Sequence, residues 1–88
     1  MGIRNKIAEY VEDPLFLDPP FMDQAIIGVA ERAGGMRVVA YDRSRVIDLF
    51  VSHEKMTRED AEEWFEFNVV SAWLGDNTPM FIDTRYAE

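Results

Sequence analysis

The stretch Met56–Trp73, MTREDAEEWFEFNVVSAW, is the feature that most constrains the fold. Its apolar and acidic residues separate as they do on a helix lying at a protein surface. Thr57 has the short oxygen-bearing side chain of an N-cap, and Asp60 at the third helical position suits a capping box. Met56, just before the cap, can staple onto Ala61. Five carboxylates then fall within eight positions: Glu59, Asp60, Glu62, Glu63 and Glu66. The later half, with Trp64, Phe65, Phe67, Val69, Val70, Ala72, Trp73 and Leu74, is apolar round most of its circumference. Asn68 lies within that run, so it is expected to be buried and to need a hydrogen-bond partner. Gly75 stops the helix, and Gly75-Asp76-Asn77 supplies turn residues. The spacing predicts one helix from Arg58 to Leu74, core at one end and negative surface at the other.

The rest of the chain is read from the same rules. Ile3, Ile7, Ala8 and Val11 repeat at helical spacing, and Asp13-Pro14 ends that short helix. Leu15-Phe16-Leu17 is an extended, packed link. Asp18-Pro19-Pro20 then opens a helix from Pro20 to Ala33, with Met22, Ala25, Ile26, Val29 and Ala33 as its stripe. Gly28 is a weak residue inside such a helix, and close approach of another element would account for it. Gly34-Gly35 provides the stop. Met36–Tyr41 reads as a strand, apolar on both faces. Asp42 is the N-cap of a helix from Arg43 to about Ser52. Pro79–Asp83 reads as a last strand, with Thr84–Glu88 a loose tail.

The predicted order is α-α-β-α-α-β, an α+β (or small α/β) chain with two short strands covered by helices. At 88 residues it is one domain, 1–88, with 1–17 as an N-terminal extension bearing a short helix and 18–84 as the core. Two strands alone are marginal, so helices must cover them or a second copy must extend them. The pair can run in either direction.

Composition excludes several classes of function. The chain has no cysteine, hence no disulfide framework and no thiol chemistry. No apolar run reaches the ~20 residues of a membrane span, and MGIRNKIAEYVED lacks the apolar centre of a signal peptide. A cytoplasmic location is expected. Lys6 stands where a myristoylation signal needs Ser or Thr. The net charge of −8 opposes direct contact with nucleic acid or anionic lipid and favours a basic partner or plain solubility. Eleven aromatic residues and 48% hydrophobic content are enough to fold it.

Catalytic and ligand motifs are missing. His53, the single histidine, falls near a predicted helix C-terminus, where it suits carbonyl capping or solvent. Ser44, Ser52 and Ser71 lack the glycine elbow of a nucleophilic serine. Gly34-Gly35 is no phosphate loop, and Gly75-Asp76-Asn77-Thr78 lacks the spacing of a calcium loop. No catalytic residue, cofactor or metal site is expected, and the chain is read as a non-enzyme.

Charge is segregated along the chain. Residues 9–31 hold six acids and no base, residues 54–66 six acids and two bases, and residues 32–45 four bases and one acid. Glu59, Glu62, Glu63 and Glu66 are the candidate partner-binding residues, because three- and four-residue steps on a helix place Cβ atoms about 5–6 Å apart. Adjacent phosphates on a nucleic-acid strand are similarly spaced, so this row suits an arginine- or lysine-lined groove. The helix dipole accounts for the same acids without any partner. Trp64, Phe65, Phe67 and Trp73 are expected mainly in the core, with surplus apolar surface left for a partner.

The wording as a whole resembles a known group. Gln24-Ala25-Ile26-Ile27-Gly28-Val29-Ala30-Glu31, Val39-Ala40-Tyr41-Asp42-Arg43, Met56-Thr57 with Glu59-Asp60-Ala61-Glu62-Glu63-Trp64-Phe65-Glu66-Phe67-Asn68, and Gly75 with Thr78-Pro79-Met80-Phe81 resemble a family of short bacteriophage-encoded proteins of unassigned function. The likeness spans roughly residues 18–84. It implies an accessory protein acting in a bacterial cytoplasm, where small acidic phage proteins inhibit host enzymes or defence complexes by binding, as the anti-CRISPR class does. The expected activity is inhibition of a host protein complex with a basic surface, without direct contact to nucleic acid or membrane. The alternative is a small self-associating structural or scaffold protein, such as a homodimer.

Overall fold

A computed structural model describes residues 2–70 and 75–87. Its elements are α1 (Ile3–Ile7), a 3₁₀ turn (Pro20–Ala25), β1 (Ile26–Glu31), β2 (Arg37–Asp42), α2 (Arg43–Glu54), α3 (Arg58–Phe65), a π-turn (Glu66–Val70), β3 (Met80–Ile82) and a closing 3₁₀ turn (Thr84–Ala87). The α+β class is as expected, but the sheet has three strands in the order β1-β2-β3.

The added strand corrects the predicted helix 20–33. Only Pro20–Ala25 is helical there, and Ile26–Glu31 is extended. Met22 and Ala25 keep their place in the core, whereas the strand alternates between half-buried and exposed residues. β1 pairs antiparallel with β2 across the Gly34-Gly35 turn, with Val29 opposite Val39 and Glu31 opposite Arg37. That pairing satisfies backbone groups that a helix would satisfy internally, and it suits β-branched Ile26, Ile27 and Val29. The register slips between Ile26 and Gly28, a β-bulge, and Gly28 takes a φ of 153°. The bulge is thus the reason for a glycine at this position.

β2 is the central strand, and Val38, Val39, Ala40 and Tyr41 are all buried. β3 lies parallel to it, Tyr41 opposite Phe81. Parallel strands need a crossover, and α2 with α3 supplies it. Asp42 caps α2 by accepting from the N–H groups of Ser44 at 3.0 Å and Arg45 at 3.3 Å. The helix runs to Glu54 and stops at Lys55, whose φ of 53° is left-handed. Thr57 caps α3, its hydroxyl accepting from Asp60 N–H at 3.1 Å.

The core joins these pieces. Val46, Ile47, Leu49 and Phe50 of α2 meet Val39 and Tyr41 of the sheet and Ala61 and Phe65 of α3. Phe65 meets Phe81 edge-on at 5.0 Å, and Phe50 lies 4.3 Å from Trp64. Met56 packs against this cluster, of which its predicted partner Ala61 is a member. Residues 1–17 contribute as well: Ile7 and Val11 lie in the same cluster. Leu17 N–H donates to the Tyr41 hydroxyl at 2.8 Å, and Asn77 Nδ2 donates to the carbonyls of Glu12 and Asp13.

Three further expectations change. α1 is shorter than Ile3–Val11 and ends at Ile7, with turns continuing to Asp13. The regular part of the helix from Arg58 ends at Phe65 and opens into the π-turn, while Ala72, Trp73 and Leu74 lie outside the described residues. Thr84–Ala87 is not loose but a 3₁₀ turn, with the Thr84 hydroxyl 3.4 Å from Asp42 Oδ2.

At Gly28 an added Cβ would meet open space, so only the backbone opposes a side chain. Gly28→Ala is therefore expected to destabilise by about 1–3 kcal/mol, read as a lower denaturant midpoint at unchanged slope. Unchanged stability would show that the bulge does not require glycine.

Candidate functional site

α3 places its residues by period. Ala61 and Phe65 point into the core and are fully buried. The opposite side carries Glu59, Glu63 and Glu66, all exposed, with Glu62 half-buried on one flank. The four predicted acids do share an outer surface, but they are not equivalent. Glu66 accepts from Arg43 Nη2 at 2.6 Å, and Glu62 lies 3.5 Å from Arg58 Nε. Arg58 also pairs with Asp48 of α2. Among the described residues Glu59, Asp60 and Glu63 form no ion pair. The row is thus partly neutralised by the chain's own arginines, and its open charge is concentrated at the start of α3, where the helix dipole favours it.

An aromatic surface adjoins that charge. Asp60, Glu63, Trp64 and Phe67 follow at helical steps and, with Met56 and Asn68, line an open groove of about 280 Å³. Trp64 is half-buried against Phe50, while Phe67 is 74% exposed. Phe67 was expected in the core. Phe67 follows buried Phe65 by two residues, roughly half a turn round the axis, so it projects on the same side as Glu63. Asn68, expected to be buried, is exposed as well, and its Nδ2 donates to the Trp64 carbonyl at 3.1 Å.

His53 stands apart from this surface. It is exposed on the last turn of α2, stacked on Phe21 with ring centres 4.0 Å apart and planes within 7°. No group of three or more His, Asp or Glu residues is placed to hold a metal ion among the described residues. No helix among them is long and apolar enough to cross a membrane.

The carboxyl ends of the parallel strands gather a second set of polar groups, which sequence spacing did not bring together. Asp42 and Thr84 meet there, and Arg85 forms a two-pronged contact with Asp83 at 2.9 and 2.6 Å. The hydrogen bonds and positive charge of Arg85 hold the Asp83 carboxyl at about 2, below its ordinary 3.8, and raise the guanidinium in turn. Elsewhere burial pushes the Tyr41 hydroxyl up, against the lowering effect of the bond from Leu17. The hydrogen bond to Asp23, 2.7 Å away, raises Arg4.

Comparison of the chain with family models, with curated proteins and with solved structures gives no match.

The Asp83 pair has a definite pH signature. A depressed folded pKa means that the stabilisation is present above the ordinary carboxylate value and lost as pH falls through about 2. Arg85→Ala is expected to return the Asp83 titration, followed by carboxyl NMR, toward 3.8. A midpoint that stays near 2 in the variant would exclude Arg85 as the cause.

Proposed function

We propose that this chain is a non-enzymatic binding protein whose α3 surface docks on a basic surface of another protein. The observation that carries the reading is the exposed group Glu59, Asp60 and Glu63, without an ion-pair partner among the described residues and flanked by the exposed Phe67. Protein contacts commonly combine a charged rim with an aromatic anchor of this kind. The segregation of charge favours the same reading, since the acids of α3 act as one patch rather than as scattered solubilising groups.

The resemblance to short bacteriophage-encoded proteins supports a finer version. In it the setting is a bacterial cytoplasm, and the partner is a host complex that handles nucleic acid. The acidic row takes the place of phosphates in a basic groove and inhibits the complex in the manner of an anti-CRISPR protein. Glu59 and Glu63 make the main contacts. Glu62 and Glu66 contribute less, because Arg58 and Arg43 already face them.

Tagged protein incubated with bacterial lysate should retain a basic protein complex at low salt and release it at high salt. The double variant Glu59→Lys/Glu63→Lys should weaken retention roughly tenfold or more, since each exposed charge contact contributes up to about 1 kcal/mol and the reversal adds repulsion. Undiminished retention by that variant would remove the acidic surface from the mechanism.

A second reading, self-association, is favoured by the outer edge of the sheet. Among the described residues β1 has no strand on its far side, and Ile27 and Val29 on it are exposed. Unpaired strand edges invite addition of another strand. This reading requires a mass that rises with concentration and a binding surface indifferent to charge reversal on α3.

A further inference from the structure

The groove beside α3 identifies the side chain that it would receive. Arginines of this chain repeatedly combine one ring and one carboxylate. Arg4 lies 4.7 Å from the Phe16 ring centre and bonds Asp23. Arg43 lies 5.1 Å from the Phe65 centre and bonds Glu66. Arg85 lies 5.9 Å from the Tyr86 centre and bonds Asp83. In each, the planar cation faces π density while its N–H groups reach an acid.

The Met56–Phe67 groove holds the other two parts of this arrangement. Trp64 and Phe67 supply rings, and Asp60 and Glu63 supply carboxylates on the same helical stripe. Trp64 is fixed from behind by Phe50, and the Asn68 amide bonded to the Trp64 carbonyl ties the π-turn to α3. Among the described residues no arginine or lysine lines this groove, unlike the three arrangements above.

We propose that the groove binds an arginine side chain of the partner protein, its guanidinium against Trp64 or Phe67 and its N–H groups directed to Asp60 and Glu63. This deepens the acidic-surface reading and rests on it. Charge complementarity selects a cation. The rings select arginine over lysine, because a guanidinium is flat, weakly hydrated and forked, whereas an ammonium is a compact, strongly hydrated point charge.

The test is an amide- and indole-resolved NMR titration of the full chain at low salt with acetylated hexa-arginine amide and with acetylated hexa-lysine amide. The arginine peptide should bind roughly three- to tenfold more tightly, as a desolvated cation–π contact allows. The largest shifts should fall on Trp64, Phe67 and Asn68. Phe67→Ala and Phe67→Leu, at a site too exposed for either to endanger folding, should each remove the arginine preference, bringing hexa-arginine affinity down to that of hexa-lysine. Equal binding of the two peptides, a preference that survives in Phe67→Leu, or shifts centred outside the groove would each overturn the arginine site while leaving the acidic surface in place. Absence of binding by both peptides would overturn the site together with the acidic-surface reading.

Discussion

The burial of Tyr41 is the interaction on which most of the structure depends. Its ring sits in the cluster shared by the sheet, α2 and α3, and it lies opposite Ile26 on one side of β2 and Phe81 on the other. A buried phenol needs a polar partner, and the Leu17 N–H provides one at 2.8 Å. One side chain therefore joins the N-terminal segment, all three strands and the crossover. In a chain this small, where the buried fraction of surface is limited, such multiple use compensates for a thin core. It also explains the position of α3. Phe65 packs edge-on against Phe81, the strand neighbour of Tyr41, so the inner side of the helix is fixed and its acids must face outward.

Electrostatics then decide which part of that outer surface is open. A chain of net charge −8 folds against its own repulsion unless its few cations are well used. Arg58 sits near acids of two helices, Asp48 and Glu62, and Arg43 reaches from α2 to Glu66 while lying against Phe65. Exposed pairs of this sort stabilise little one by one. Their larger effect is on distribution, since they lower the negative potential near Glu62 and Glu66 and leave it concentrated at Glu59, Asp60 and Glu63.

The helix N-caps were the most legible parts of the sequence. Asp42 and Thr57 start α2 and α3 as their side-chain chemistry requires, whereas Gly34-Gly35, read as the stop of a helix, instead turns β1 into β2. The misread segment was Ile26–Glu31, because Ile26 and Val29 satisfy a helical step while the same stretch also alternates as a strand. What separates the alternatives is the partner strand, which begins at Arg37 just beyond a five-residue connection containing two glycines. Tertiary pairing outweighed the local helical period, and Gly28, costly in a helix, was the available signal. The acidic row of α3 was legible for a similar local reason, since helical steps fix it. Its partial neutralisation was not, because Arg43 and Glu66 are 23 residues apart and meet only through packing of α2 on α3.

Helical position decides what borders the acidic row. Phe67 stands four residues after Glu63 and three after Trp64, so helical steps alone bring it beside them at the surface. A lone acidic patch attracts any cation and discriminates poorly, whereas a ring beside a carboxylate imposes shape on the cation that it accepts. On the proposed reading, this pairing of ring and acid is what gives the negative surface a geometric preference.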